Sequence, residues 1–285
     1  DGVTSIGKEA FRGCTSLTSV TIPNSVTYIG YNAFYGCKSL TSVTIPDSVT
    51  FIGYGAFYSC SGLTSVTIPD SVKSIEYETF YYCTSLTSIT IPDSVTIIDA
   101  RAFFGCSGLT SITIPDRVKS IGSRAFYGCS GLTSITIGNG VTLIDNSAFY
   151  GCSGLTSVTI PNSVTSIGSS AFYDCEALTK VNYLGTVDKW VGIDFNNYDS
   201  NPTYYAKDLY INDKLLTDIK ITSADSIKQY AFDNCASIKS VEIGNNVTYV
   251  SYNAFSGCSG LTSVIWNAKN CKDFNWFAPF DDSRS

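Results

Sequence analysis

The chain is 285 residues long, carries a formal net charge of −6 and contains no histidine. That balance excludes the basic stripe of a nucleic-acid binder, and the missing histidines remove the commonest general base and metal ligand together. No apolar run reaches the roughly 18 residues of a membrane helix, while a hydrophobic content of 44% is enough for an extended core.

Residues 1–16 read as a partial coil, with Val3, Ile6, Ala10, Phe11 and Cys14 on positions that recur throughout the chain. The chain begins inside this unit and contains no methionine, as expected of a segment of a longer product. From Leu17 the repetition is plain. Leu17, Leu40, Leu63, Leu86, Leu109, Leu132 and Leu155 lie 23 residues apart, and Cys14, Cys37, Cys60, Cys83, Cys106, Cys129, Cys152 and Cys175 keep the same interval. A fixed period of this size means stacked units, none of which buries its apolar face alone.

Each unit opens on a short strand. In Leu40-Thr-Ser-Val-Thr-Ile45, Val43 and Ile45 alternate with Ser42 and Thr44, the period of a half-buried strand, and Pro46 ends the ladder. Val49 and Ile52 bring the chain back inward. Gly30, Gly53, Asp99, Asp145 and Gly168 follow the buried Ile in their units, a placement that predicts one helical or 3₁₀ turn on the far side of the coil. Gly36, Gly105, Gly128 and Gly151 precede the cysteine and suit a left-handed closure of that turn. Asp174 and Asn234 tolerate this conformation in the same place, whereas Tyr82 fits it poorly. Stacking such units turns Leu, Val, Ile, Ala, Phe and Cys into inward ladders, including ten phenylalanines from Phe11 to Phe255.

The register breaks after residue 182, since Cys175 and Cys235 are 60 residues apart. Residues 183–218 read as an insertion within the same solenoid. In it, Thr186 is placed to cap a short helix carrying Val187, Trp190 and Val191 inward. Leu209-Tyr-Ile211 and Leu215-Leu216 read as a hairpin around Asn212-Asp213. Repeats resume over residues 219–266. The tail, 267–285, places Phe274, Trp276, Phe277 and Phe280 among polar residues and is expected either to cap the last coil or to begin a following segment.

Single cysteines 23 residues apart have no CxxC pairing, and an unpaired cysteine is among the most buried residue types, so free, buried thiols are expected. Cys271 breaks the spacing and is the one expected to be exposed or paired. Asp47, Asp70, Asp93 and Asp116 form an acidic column, but each lies in a Pro-Asp-Ser turn, and Asn24 and Asn162 fill the same slot without charge. A turn explains this pattern and a metal site does not, so neither metal nor cofactor is implied. Serines and cysteines abound without a base beside them, so no catalytic residues are assigned and the chain is not expected to be an enzyme.

The run L-x-x-I/V-x-I-P-x-S-V-x-x-I-G-x-x-A-F-x-x-C, over residues 1–182 and 219–266, resembles the leucine-rich repeats of the BspA-like, or Treponema pallidum, type. The resemblance implies an α/β leucine-rich repeat horseshoe: a curved, right-handed solenoid with a parallel sheet on its concave face and short helical or 3₁₀ turns on its convex face. It also implies an extracellular or cell-surface protein, since some relatives adhere to host proteins. The Trp…Asn-Pro…Tyr-Tyr-Ala…Leu-Tyr-Ile insertion recurs in such chains.

Two functions remain open: an adhesin-like domain binding a protein or glycan, or a structural spacer without a ligand. A monomer is expected, with no nucleic-acid partner and no membrane insertion. The concave face is a flat field of Ser and Thr hydroxyls that loses uniformity near the insertion, at Lys180 and Asn182 before it and Lys239 and Glu242 after it. Together with Tyr204 and Tyr205, these are the candidate partner-binding residues, grouped on the concave side. Aromatic residues interleaved with charge on a loop are common material for recognition. The insertion's aromatics equally suit a small core of their own. The outer row Tyr35, Tyr58, Tyr81, Phe104, Tyr127, Tyr150 and Tyr173 reads either as a partner surface or as a stacked ladder shielding the turns.

Overall fold

The computed structural model describes residues 2–271, so Phe274, Trp276, Phe277 and Phe280, and with them the expectation about the tail, lie outside the described residues. The chain winds as a parallel-strand solenoid of about 11 turns. The period of the sequence is the register of the sheet: Ser19 pairs with Ser42 and Ser42 with Ser65, while Ser111, Ser134, Ser157 and Lys180 pair in the same way. In each strand the Val or Ile turns inward and the flanking Ser and Thr turn outward, as at Ser42–Thr44. A second ladder of two-residue strands follows the proline turn, with Ile6, Ile29 and Ile52 in line.

The concave ladder is not continuous. It divides into sheets covering residues 19–67, 111–215 and 218–266. Between the first two, pairing thins to a single bridge from Thr67 to Thr90, and residues 88–91 form no regular strand.

The far side of each coil corrects the expectation of a helical turn: within the described repeats it is built of turns, and helices occur only in the insertion. Successive amides there point to different partners. Ala33 N–H bonds back to Gly30 O (3.2 Å), Tyr35 to Asn32 O (3.1 Å) and Cys37 to Phe34 O (3.1 Å), while Asn32, Phe34 and Gly36 bond to Tyr54, Ala56 and Tyr58 O of the next coil (2.7–2.9 Å). A helix would direct every amide back along its own coil. Half of them here serve the neighbouring coil instead, which requires a left-handed residue at two points per turn. The second point is the expected one, and it includes Tyr82 at φ 52° and Ser59 at 54°. The first was not foreseen and is held by Asn32, Gly55, Glu78, Arg101, Arg124, Ser147, Ser170, Tyr230 and Asn253. A side chain in this region costs on the order of 1 kcal/mol. Hydrogen bonds to the neighbouring coil on both sides of the turn over-determine the conformation.

The core consists of stacked rows. From Phe11 to Phe172 the rings lie nearly parallel with centroids 5.1–5.6 Å apart, and from Phe34 onward they are fully buried. Each such ring stabilises by roughly 2–3 kcal/mol through area alone. All eleven cysteines are free. Most donate Sγ–H to the carbonyl of the phenylalanine in the preceding coil, as Cys60 does to Phe34 O at 3.1 Å. Burial pushes the Cys60 thiol up to about 12 and raises the Cys83 thiol well above its ordinary value. Cys14 departs from the expectation of burial and is exposed. Cys271 is half-buried and free.

Over residues 183–218 the solenoid continues by other means. Helix α1, Val187–Trp190, is capped by Thr186, whose hydroxyl accepts from Lys189 N, and helix α2 spans Thr203–Ala206. Trp190 is fully buried, packed by Tyr183 and Phe195 at 5.2 and 5.5 Å. Asp194–Phe195 extends the ladder of short strands and Leu209–Ile211 extends the concave sheet. The latter then folds back as an antiparallel hairpin onto Lys214–Leu215 around Asn212-Asp213, both with positive φ. The next strand, Asp218–Ile221, pairs forward to Ser240–Ile243 at a step of 22 residues.

Candidate functional site

The concave face begins as a field of exposed hydroxyls at Ser42, Thr44, Ser65, Thr67, Ser111, Thr113, Ser134 and Thr136, and becomes half-buried at Ser157 and Thr159 as the hairpin approaches. Threonines just ahead of the strands are committed to the fold: Thr41, Thr64 and Thr133 donate to the carbonyls of Thr18, Thr41 and Thr110. Where the ladder thins, Ser88, Thr90, Asp93, Ser111 and Thr113, with Ile89, Ile91 and Ile112, line a depression of about 410 Å³.

Charge enters this face at the hairpin. Lys180 Nζ lies 2.9 Å from Asp213 Oδ1 and 4.9 Å from the Tyr210 ring centroid. Asn182 is buried, and its Oδ1 accepts from Asp213 N at 2.9 Å. Beyond the hairpin, Lys239 is exposed, and Glu242 pairs with Lys220 Nζ at 3.0 Å and accepts from Asn267 Nδ2. Asp213 and Lys220 therefore belong with the sequence-selected group. Their pairing was hidden because the separations, 33 residues for Lys180–Asp213 and 22 for Lys220–Glu242, depend on the hairpin and the shortened coil.

Tyr204 and Tyr205 do not join this group, which corrects the concave grouping. They lie in α2 on the turn side of the coil, where Tyr205 meets Tyr173, the end of the outer aromatic row, at 6.3 Å. The Tyr205 hydroxyl accepts from Asp174 N at 2.9 Å, and burial pushes its phenol up to about 12, so it stays protonated across the ordinary range. Tyr204 packs between Tyr198 and Tyr205, with Lys207 Nζ 5.3 Å from its ring. Tyr205 thus takes the amide that a carbonyl of the next coil takes in the regular array.

The insertion joins two stacks with side chains. On the upstream side Ser170 N bonds to Asn197 Oδ1 and Asp199 Oδ1. On the downstream side Trp190 Nε1 donates to Ala231 O (2.6 Å), Asn201 Nδ2 to Tyr230 and Ala231 O (2.7 and 3.1 Å), and Thr203 Oγ1 to Asp233 O (2.9 Å). Asp188 accepts the amides of Thr222, Ser223 and Ala224, each at 2.9 Å, and the Thr222 hydroxyl. Burial alone would raise its carboxyl, but these four donors outweigh it and hold the group below the usual carboxylate range.

Residues 1–86, 73–200 and 204–278 match the BspA type leucine rich repeat region. The chain belongs to that family. Among solved structures, this BspA-type chain is similar to a leucine-rich repeat protein from Bacteroides ovatus ATCC 8483, at 25% identity, 99% of this chain, 81% of that one and a TM-score of 0.58. It is also similar to the T. pallidum leucine rich repeat protein, at 31% identity, 61% of this chain, 82% of that one and a TM-score of 0.55. No curated protein matches it. Leucine-rich repeats of this kind are generally protein-interaction domains and typically non-catalytic. Among the described residues no helix is long and apolar enough to cross a membrane.

Proposed function

We propose that the chain is a non-catalytic, adhesin-like interaction domain of a cell-surface or secreted protein, which binds a protein or glycan on its concave face beside the hairpin. One observation carries the reading: the neutral hydroxyl face gives way at the hairpin to fixed charge, with Lys180 held by Asp213 and Tyr210, and Glu242 held by Lys220. Charges held on a rigid sheet lose little freedom on binding, which favours specific recognition. The family's general role in protein interaction and the typical surface exposure of BspA-like proteins support the same reading. In this reading Lys180, Lys239 and Glu242 contact the partner directly and Asn182 holds the hairpin that frames them.

The test is saturable binding to arrays of immobilised extracellular proteins and glycans. The parent chain is compared with the triple variant Lys180→Ser, Lys239→Thr, Glu242→Thr, which restores the repeat consensus. Loss of binding with unchanged thermal unfolding supports the site. A folded variant that keeps every interaction overturns the site, and a parent that saturates on nothing is a spacer.

A further inference from the structure

The convex side carries a second, independent surface. The outer aromatic row stacks face to face, with centroids 4.4–4.7 Å apart from Tyr35 to Tyr150 and 5.1 Å from Tyr150 to Tyr173. Stacking covers the ring faces and leaves these side chains half-buried. Along the middle of the row, Tyr81, Phe104, Tyr127 and Tyr150 line a groove of about 420 Å³ together with Arg101 and Arg124. Phe104 has no hydroxyl, so the place occupied by a phenol oxygen in the adjacent coils is open beside the two arginines.

Those arginines are not required by the backbone. Both sit at the left-handed position of the turn, at φ 55° and 56°, where other coils use residues as varied as Asn32, Gly55, Glu78, Ser147 and Tyr230. Arg101 has a structural use, since its Nη1 bonds the Tyr77 hydroxyl (2.7 Å) and Glu78 (3.1 Å). Arg124 is exposed and, among the described residues, takes part in no ion pair. It is an uncompensated guanidinium above a row of hydroxyls, on a chain whose net charge is −6.

We propose that this groove binds an acidic polysaccharide. Arg124 takes a carboxylate or sulfate of the glycan, the Tyr127 and Tyr150 hydroxyls bond its ring hydroxyls, and Arg101, partly neutralised by Glu78, supplies the second positive charge. The groove has no deep apolar hole for the aromatic anchor that dominates protein hot spots. Along the groove the rings recur every 4.6–4.7 Å, while an extended peptide advances about 3.3 Å per residue and returns to one face at about twice that, so neither of its intervals matches. A chain of sugar rings brings hydroxyls and, at intervals, an acid to such a row. Guanidinium forms directed, paired hydrogen bonds with either anion.

The surface is distinct from the concave site, so the two readings fail separately. The experiment measures binding of the full chain to heparin, polygalacturonate, neutral dextran and polyglutamate by calorimetry, with thermal unfolding as the check on folding. Expected is saturable binding to at least one acidic polysaccharide and none to dextran. Arg124→Ser, which installs the residue of a neighbouring coil, weakens it about tenfold. Tyr127→Phe keeps the stack and weakens it about threefold, whereas Glu78→Gln frees Arg101 and tightens it. The proposal is overturned if neither acidic polysaccharide binds, if Arg124→Ser binds as the parent does, or if polyglutamate binds as tightly as the polysaccharides.

Discussion

Residues 17–182 and the insertion at 183–218 solve the same problem differently. Every coil must satisfy the amides of the coil before it and the carbonyls of the coil after it. In the regular array the backbone does this, through bonds such as Phe34 N to Ala56 O repeated at each step. In the insertion fewer backbone bonds, such as Lys228 N to Val191 O, share the task with side chains: Asn197, Asp199 and Tyr205 accept from one stack, and Trp190, Asn201 and Thr203 donate to the next. Backbone bonds survive most substitutions, whereas each side-chain bond depends on one residue. The array is therefore redundant and the insertion is not.

The sharpest challenge to this contrast compares two buried aromatics. Phe80→Ala opens a cavity in the middle of the array and is expected to cost about 3–5 kcal/mol. Trp190→Ala opens a similar cavity and also removes the indole bond to Ala231 O, which keeps only its Asn201 Nδ2 donor, adding about 1 kcal/mol. It further separates the two stacks, so urea unfolding followed by circular dichroism should split into two transitions, as in a one-dimensional array with a broken interface. If Trp190→Ala costs no more than Phe80→Ala and unfolding stays single, the insertion is as redundant as the repeats. Next in size is Asn201→Ala, which removes a buried side chain bonded to Tyr230 and Ala231 O and to Thr203 N, with an expected loss of about 1–3 kcal/mol. The exposed Thr41→Ala in the array removes one hydroxyl–carbonyl bond and should stay within about 0.5 kcal/mol.

Acid should separate the regions as well. The Asp188 carboxyl is held low in the folded chain, so its contribution is present above the unfolded carboxylate range and disappears as pH falls through the lowered value. Between pH 5 and 3, on the order of the carboxylate range, the parent should lose more of its urea midpoint than Asp188→Asn does. Equal losses would mean the carboxylate contributes nothing to the junction. The smallest effect is chemical. Cys14 should react with a thiol reagent within minutes, Cys258 and Cys271 more slowly, and the fully buried thiols only on denaturation, when all eleven respond. Rapid reaction of Cys83 or Cys106 in native protein would show that the array opens more readily than its packing allows.

The array was legible because each fact about it is stated many times. Leu, Phe and Cys at a period of 23 fix which positions face inward, and repetition allows a single exception such as Tyr82 to be absorbed. The candidate site was legible only in part. Lys180 and Glu242 were visible as departures from a Ser/Thr consensus, but their partners Asp213 and Lys220 were not, because no local pattern reports on pairing across a hairpin. Tyr205 was misplaced for the same reason. Its aromatic character suited recognition, yet its hydroxyl is taken by Asp174 N on the opposite side of the coil.

The sequence by itself determined the period, the inward rows, the free thiols and the family, since each follows from composition at fixed intervals and from the physics of a strand that must alternate. Only the tertiary structure decided how the turns close, where the concave sheet divides, and what the insertion does. Those outcomes depend on hydrogen bonds to a neighbouring coil: a left-handed Arg124, a Trp190 indole on Ala231 O and an Asp188 cradled by three amides have no signature until the coils are stacked.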